Sequence, residues 1–127
     1  MKAMYILVAF LLFTVQLQAQ SSESIDPADY LEEVEVAPEL IGGIKELAKH
    51  VQYPEEAARA GIQGTVFVKA YVGKTGMIDD LAVEKSPNDL LSQAALDAVR
   101  QVRFKPGTDN GQPVNVMVVI PVKFALK

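Results

Sequence analysis

Cysteine is absent from the 127-residue sequence. Its absence excludes disulfides, thiolate metal sites and a cysteine nucleophile, and removes the acceptor that a lipoprotein anchor requires. Histidine occurs once, at His50. A zinc site needs three or four ligands and no His/Cys cluster supplies them, so His50 reads as a solvated or capping side chain. Basic residues do not dominate: 12 stand against 16 acidic ones, for a net charge of -4 and a pI of about 4.9. A nucleic-acid partner is disfavoured, because phosphates call for a basic patch. Gly61-Ile62-Gln63-Gly64 lacks the lysine and the spacing of a phosphate loop, and Gly42-Gly43 has no phosphate-binding context. Ser86 and Ser92 have no His/Asp partners that the sequence can place. The adjacent acids Asp79-Asp80 and Glu55-Glu56 read as solvated turn and helix-start charges. No catalytic residue, cofactor, metal ion or small-molecule substrate is therefore assigned.

Half of the residues are apolar and 22% are charged, which suits one domain with a real core and argues against wholesale disorder. Ahead of that domain, Lys2 precedes Ala3 to Val15, a run of 13 residues that is apolar apart from Thr14. The run is short for a membrane span of ~20 residues. The polar Gln16-Leu17-Gln18 and the small Ala19 complete the order of a secretory signal, with cleavage expected after Ala19. Residues 1–19 are therefore expected to be a signal peptide and the protein to be exported. The alternative is an uncut signal anchor that keeps it on the membrane. Residues 20–37 are polar and acidic and read as a flexible tether with a reach of at most ~60 Å.

The domain proper covers residues 38–127. Ile44, Leu47, Ala48 and Val51 have helical spacing. Tyr53-Pro54 breaks that helix, since a residue before proline is pushed to extended geometry, and Pro54 then suits the first turn of another. Thr65 to Val72 is the clearest strand, with Val66, Val68, Ala70 and Val72 on one face. Gly73 to Gly76 turns it into a return strand, Met77 to Lys85, whose apolar parity shifts between Ile78 and Leu81. A bulge near Asp79 and Asp80 is expected there. Asn88 and its neighbours offer capping oxygens for a helix whose stripe is Leu91, Ala94, Ala95, Ala98, Val99 and Val102. Asn110-Gly111 marks a turn. The last strand runs from about Val114 to Phe124, and Pro121, which cannot donate to a ladder, puts it at an edge.

These elements order themselves. The hairpin makes the first two strands antiparallel neighbours, and a helical crossover returns the third against the first. The fold class is α+β: a three-stranded antiparallel sheet, order 2-1-3, with two helices packed on one face. The third strand keeps a long apolar free edge, a template for pairing.

Several motifs occur in one order: Gln52-Tyr53-Pro54-Glu55, Gly61-Ile62-Gln63-Gly64-Thr65-Val66, Gly76-Met77-Ile78-Asp79, Phe104-Lys105-Pro106-Gly107, Asn110-Gly111-Gln112-Pro113-Val114 and Ile120-Pro121-Val122-Lys123-Phe124. Over about 90 residues the sequence resembles the TonB C-terminal domain family. The resemblance implies a non-enzymatic periplasmic module that binds the box peptide of an outer-membrane transporter along its last strand and couples it to a proton-driven complex. By position it implies partner contacts at Gln52, Tyr53 and Pro54 and along the strand Val114 to Phe124; because Pro121 leaves a gap in the donors, pairing is expected to be best along Val114, Asn115, Val116, Met117, Val118, Val119 and Ile120. Strand addition needs unpaired backbone groups at an edge and side-chain room at alternate positions. The same edge would equally serve another envelope protein or a second copy, giving a homodimer.

Overall fold

The computed structural model describes residues 25–127, so the expected signal peptide lies outside the described residues. In chain order they form a 3-10 turn (Pro27–Asp29), β1 (Glu39–Leu40), α1 (Gly43–His50), α2 (Glu55–Arg59), β2 (Gly64–Val72), β3 (Ile78–Lys85), α3 (Asp89–Val99), β4 (Phe104–Lys105), β5 (Gly107–Asp109), β6 (Gln112–Val114) and β7 (Val116–Phe124).

β2 is the centre of the molecule. Its β-branched residues suit a pleated, half-buried surface, and Val66, Val68, Ala70 and Val72 are fully buried. β3 and β7 flank it, both antiparallel, in the order β3-β2-β7. This is the expected sheet, with Pro121 on the edge strand. α3 lays Leu91, Ala95, Ala98 and Val99 on the buried face of β2, and its alanines let helix and sheet approach closely. Leu47 of α1 and Ala57 of α2 join the same core, so three helices, not two, cover that face. Burying a side chain such as Leu91 or Phe124 contributes ~1.5–3 kcal/mol.

Local chemistry places the boundaries. The Asn88 side chain caps α3, accepting from the Leu90 N–H at 2.7 Å. α3 stops at Val99, short of the stripe's last member, yet Val102 remains buried because its N–H bonds back to the Val99 carbonyl at 3.3 Å. Tyr71 pairs with Asp80 while Val72 pairs with Ile78, so Asp79 is the extra residue of the expected bulge. A second irregularity falls at Glu84, between the pairs Phe67 with Lys85 and Val68 with Val83.

Two features of the C-terminal half depart from the expectation. The last strand starts at Val116, because Gln112–Val114 folds back on Gly107–Asp109 as a small separate hairpin. Its two turn residues, Asn110 (φ 54°) and Gly111 (φ 78°), both take the left-handed conformation that matches strand twist. Asn115 separates the two strands, its side chain accepting from the Lys74 N–H at 3.1 Å.

The expected tether also behaves otherwise from Ile25 onward. Leu31 makes a parallel bridge to Val116, and Val36 an antiparallel one to Thr108. Tyr30 stands edge-on to Tyr71, ring centroids 5.3 Å apart, and donates its hydroxyl to Asp79 at 2.6 Å. The Glu35 carboxylate accepts from the Asn110 N–H at 2.7 Å. Acidic residues alone would stay in water; Tyr30, Leu31 and Val36 supply the surface and backbone pairing that hold this stretch to the domain.

Candidate functional site at the open edge of the sheet

A three-stranded sheet has two edges, and they differ here. β3 carries two irregularities and exposes Asp79, Asp80, Glu84 and Lys85. Bulges and charges are the usual means of blunting an edge. β7 is regular over all nine residues of its pairing with β2, from Val72 opposite Val116 to Gly64 opposite Phe124.

The direction of each backbone group on β7 follows from one observation. The Asn115 carbonyl accepts from the Leu31 N–H at 3.0 Å, and the Met117 N–H donates to the Leu31 carbonyl at 2.8 Å. Odd-numbered residues therefore turn their backbone groups outward, and Val116, Val118, Ile120, Val122 and Phe124 turn theirs toward β2. Leu31 covers the rim at one end. Among the described residues, no backbone bond from outside the sheet reaches Val119, Pro121 or Lys123. The open rim thus runs from Val119 to Lys123. Pro121 sits within it, on the outward side, where its missing N–H breaks no ladder bond.

A groove of 380 Å³ runs beside this rim. One wall is Pro121 to Ala125; the other is α1 with Ile44, Leu47, Ala48 and Val51, closed by Tyr53. Helical spacing puts Ile44, Leu47 and Ala48 on one face of α1, and Val51 follows as its C-cap. Leu47 is buried beneath, while Ile44 is 62% exposed over the groove. Tyr53 is fixed from two sides: its ring meets Phe124 edge-on at 5.5 Å, and its hydroxyl donates to the Ile62 carbonyl. A strand laid along the rim would place alternate side chains in this groove.

The residues singled out in the sequence separate accordingly. Val119 lies on the open rim and Tyr53 closes the groove beside it. Asn115 and Met117 face outward but are bonded to Leu31. Val116 and Ile120 are core residues, and Val118 is partly buried against that core. Val114 belongs to the small hairpin. Gln52 and Pro54, with Tyr53, line a separate, broader hollow facing Gln93, Asp97 and Arg100 on the α3 side. Sequence reasoning missed Ile44 and Val51 as groove walls, and Leu31 as an occupant of the edge. The signal for Leu31 was an aromatic–aliphatic pair, Tyr30-Leu31, inside an otherwise acidic stretch.

Tyr30 gives this occupancy a pH dependence. Its partial burial, and then its bond to the Asp79 carboxylate, push its pKa from 10.0 up to about 12. The neutral phenol is the form that donates, so its contribution is complete below pH 10 and is lost as the pH rises through about 12. Phenolate absorbance during alkaline titration should show a late-ionising component that is lost in Tyr30→Phe.

Among the described residues, no group of three or more His, Cys, Asp or Glu side chains converges as a metal site, and no helix is long and apolar enough to cross a membrane. Residues 49–126 match the model of the Gram-negative bacterial TonB protein C-terminal family. The protein TonB of Xanthomonas campestris is 43% identical over 76 residues, which is 59% of this chain and 34% of that protein. The protein TonB of Vibrio cholerae is 34% identical over 77 residues, covering 60% and 32%. The chain thus spans about a third of the length of these curated relatives. Among solved structures, the Helicobacter pylori TonB C-terminal domain (residues 179–285) aligns with a TM-score of 0.53 at 28% identity, covering 66% of this chain and 77% of that one. The Pseudomonas aeruginosa TonB C-terminal domain aligns at 0.50 and 28% identity, covering 60% and 78%. Motif order, sheet topology and the family match over residues 49–126 agree, and the chain belongs to the TonB C-terminal domain family.

Proposed function

We propose that this protein is a non-enzymatic, periplasmic binding module of the energy-transducer type. It takes an extended segment of an outer-membrane transporter as a fourth strand on β7, in energy-coupled transport across the outer membrane. The observation that carries this reading is the coincidence of an open backbone rim, Val119 to Lys123, with an apolar groove directly beside it. Main-chain bonds supply affinity and the groove reads alternate side chains. Each backbone bond nets only ~1 kcal/mol, and ordering a free peptide costs ~1–2 kcal/mol per residue. Weak, reversible binding follows, with the groove contacts tipping the balance.

The test is backbone amide shift mapping with a peptide from the periplasm-facing end of a transporter of the same organism. Shifts are expected at Val119, Lys123 and Ala125 and along Ile44 to Val51. Shifts confined to β3, or none at saturating peptide, would overturn the reading. Sedimentation of the unliganded protein checks the competing use of the same edge: a stable dimer that blocks the peptide would favour self-association.

A further inference from the structure

The open rim is electrically polarised although the protein as a whole is acidic. Residues directly opposite one another in a sheet share a face. On the face away from the helices, Lys123 stands on the rim itself opposite Thr65, Lys69 stands opposite Val119, and Lys85 stands opposite Phe67. Lys123 and Lys85 are exposed and Lys69 is half-buried. Among the described residues none of the three makes an ion pair. At the other end of the rim, the exposed Glu32 and Glu33 follow Leu31 directly.

Resting on the strand-addition reading, we propose that the partner is an anionic amphipathic strand. A strand added beyond β7 must alternate between two environments. Residues aligned with Val122 and Phe124 enter the apolar groove under Ile44 and Val51. Residues aligned with Pro121 and Lys123 lie on the lysine face, Lys123 beside them and Lys69 reaching over Val119. The pattern it fits is apolar–acidic–apolar–acidic. Its acidic end lies at Lys123. Its other end stops at Leu31, beside Glu32 and Glu33, where a further carboxylate would be repelled.

Three synthetic peptides test this against the purified protein. They share valine at the groove positions and carry Glu, Gln or Lys at the alternate ones. Exposed ion pairs are individually weak and screened by salt, so the Glu peptide is expected to bind about tenfold tighter than the Gln peptide at low ionic strength. The Lys peptide is expected to be weakest, and the Glu advantage to shrink with added salt. Lys123→Glu alone, at an exposed position, should erase the Glu preference, and adding Lys69→Glu should invert the order in a protein whose circular dichroism is unchanged. Equal binding of the Glu and Gln peptides, or an order untouched by Lys123→Glu, would overturn the charge proposal and leave strand addition standing. If none of the three peptides shifts the Val119 or Lys123 amides, strand addition falls and the proposal with it. Capture of anionic phospholipid vesicles through the same lysines, with no discrimination among peptides, would also overturn it.

Discussion

Val118→Pro should strongly destabilise the domain, while Val119→Pro, one residue along, should leave its stability nearly intact but make it unable to hold a partner strand. The two substitutions add the same ring to the same strand and differ only in the direction of the lost N–H. Because Met117 donates outward to Leu31, the Val118 N–H points inward to its partner Ala70, which is fully buried. Removing it leaves a buried carbonyl without a donor and drives the proline ring into the central pairing. The cost is ~3–4 kcal/mol, a large part of the ~5–15 kcal/mol that such a domain has. The Val119 N–H points the other way and pairs with nothing inside the sheet. Pro121 already occupies the equivalent outward position two residues on, so the strand tolerates a proline there. The rim would then keep a single donor, at Lys123. Partner binding should fall at least about tenfold, since one bond is lost and one partner carbonyl is left without a donor. Urea unfolding reads the first variant, and peptide titration by fluorescence anisotropy reads the second. A Val119→Pro variant that binds normally would remove the rim from the mechanism.

Gly76→Ala should be among the most damaging single-methyl additions available to this chain. Gly76 closes the β2–β3 turn at φ +87°, where a side chain is strained by ~1–2 kcal/mol. A Cβ there would also lie 2.1 Å from the Phe104 carbonyl oxygen. That oxygen belongs to backbone that cannot swing aside: Phe104 is buried and pairs with Leu40, and its N–H reaches back to the Gly76 carbonyl at 3.4 Å. Turn and β4 must separate, at a total cost of ~4 kcal/mol. For a domain of this size the midpoint of thermal unfolding should fall by roughly 20 °C. Gly61→Ala is the matched control. Its φ is +71° but nothing lies within 4 Å of the added Cβ, so it should cost only the backbone term of ~1–2 kcal/mol. Equal losses for the two variants would show that the approach to Phe104 carries no weight.

These two glycines also show how far the sequence can be read. Each marks a turn or a helix end, and each takes positive φ. That Gly76 is pressed against Phe104 is invisible in the sequence, because the two residues meet only once α3 has carried the chain back across the sheet. The bulge at Asp79 was legible because a parity shift is a local record of which side chains must be buried. Pro121 was legible as an edge residue because proline has no N–H to give. The small Gln112–Val114 hairpin was not, since three residues carry too little periodicity to separate from the strand that follows.

The three strands of the main sheet, the α3 stripe, the 2-1-3 order and the edge position of β7 are all written in the sequence. All of these follow from burial at period 2 or 3.6 and from backbone chemistry within a few residues. How much of that edge is free depends on contacts made only in the folded molecule. The occupant of its first end, Leu31, is remote in sequence and sits in a stretch whose charges suggest solvent. The groove along its second end lies between β7 and α1, with Ile44 and Tyr53 in its lining. Contacts of this kind depend on loop closure and on the shapes of two surfaces meeting, and neither leaves a periodic trace in the chain.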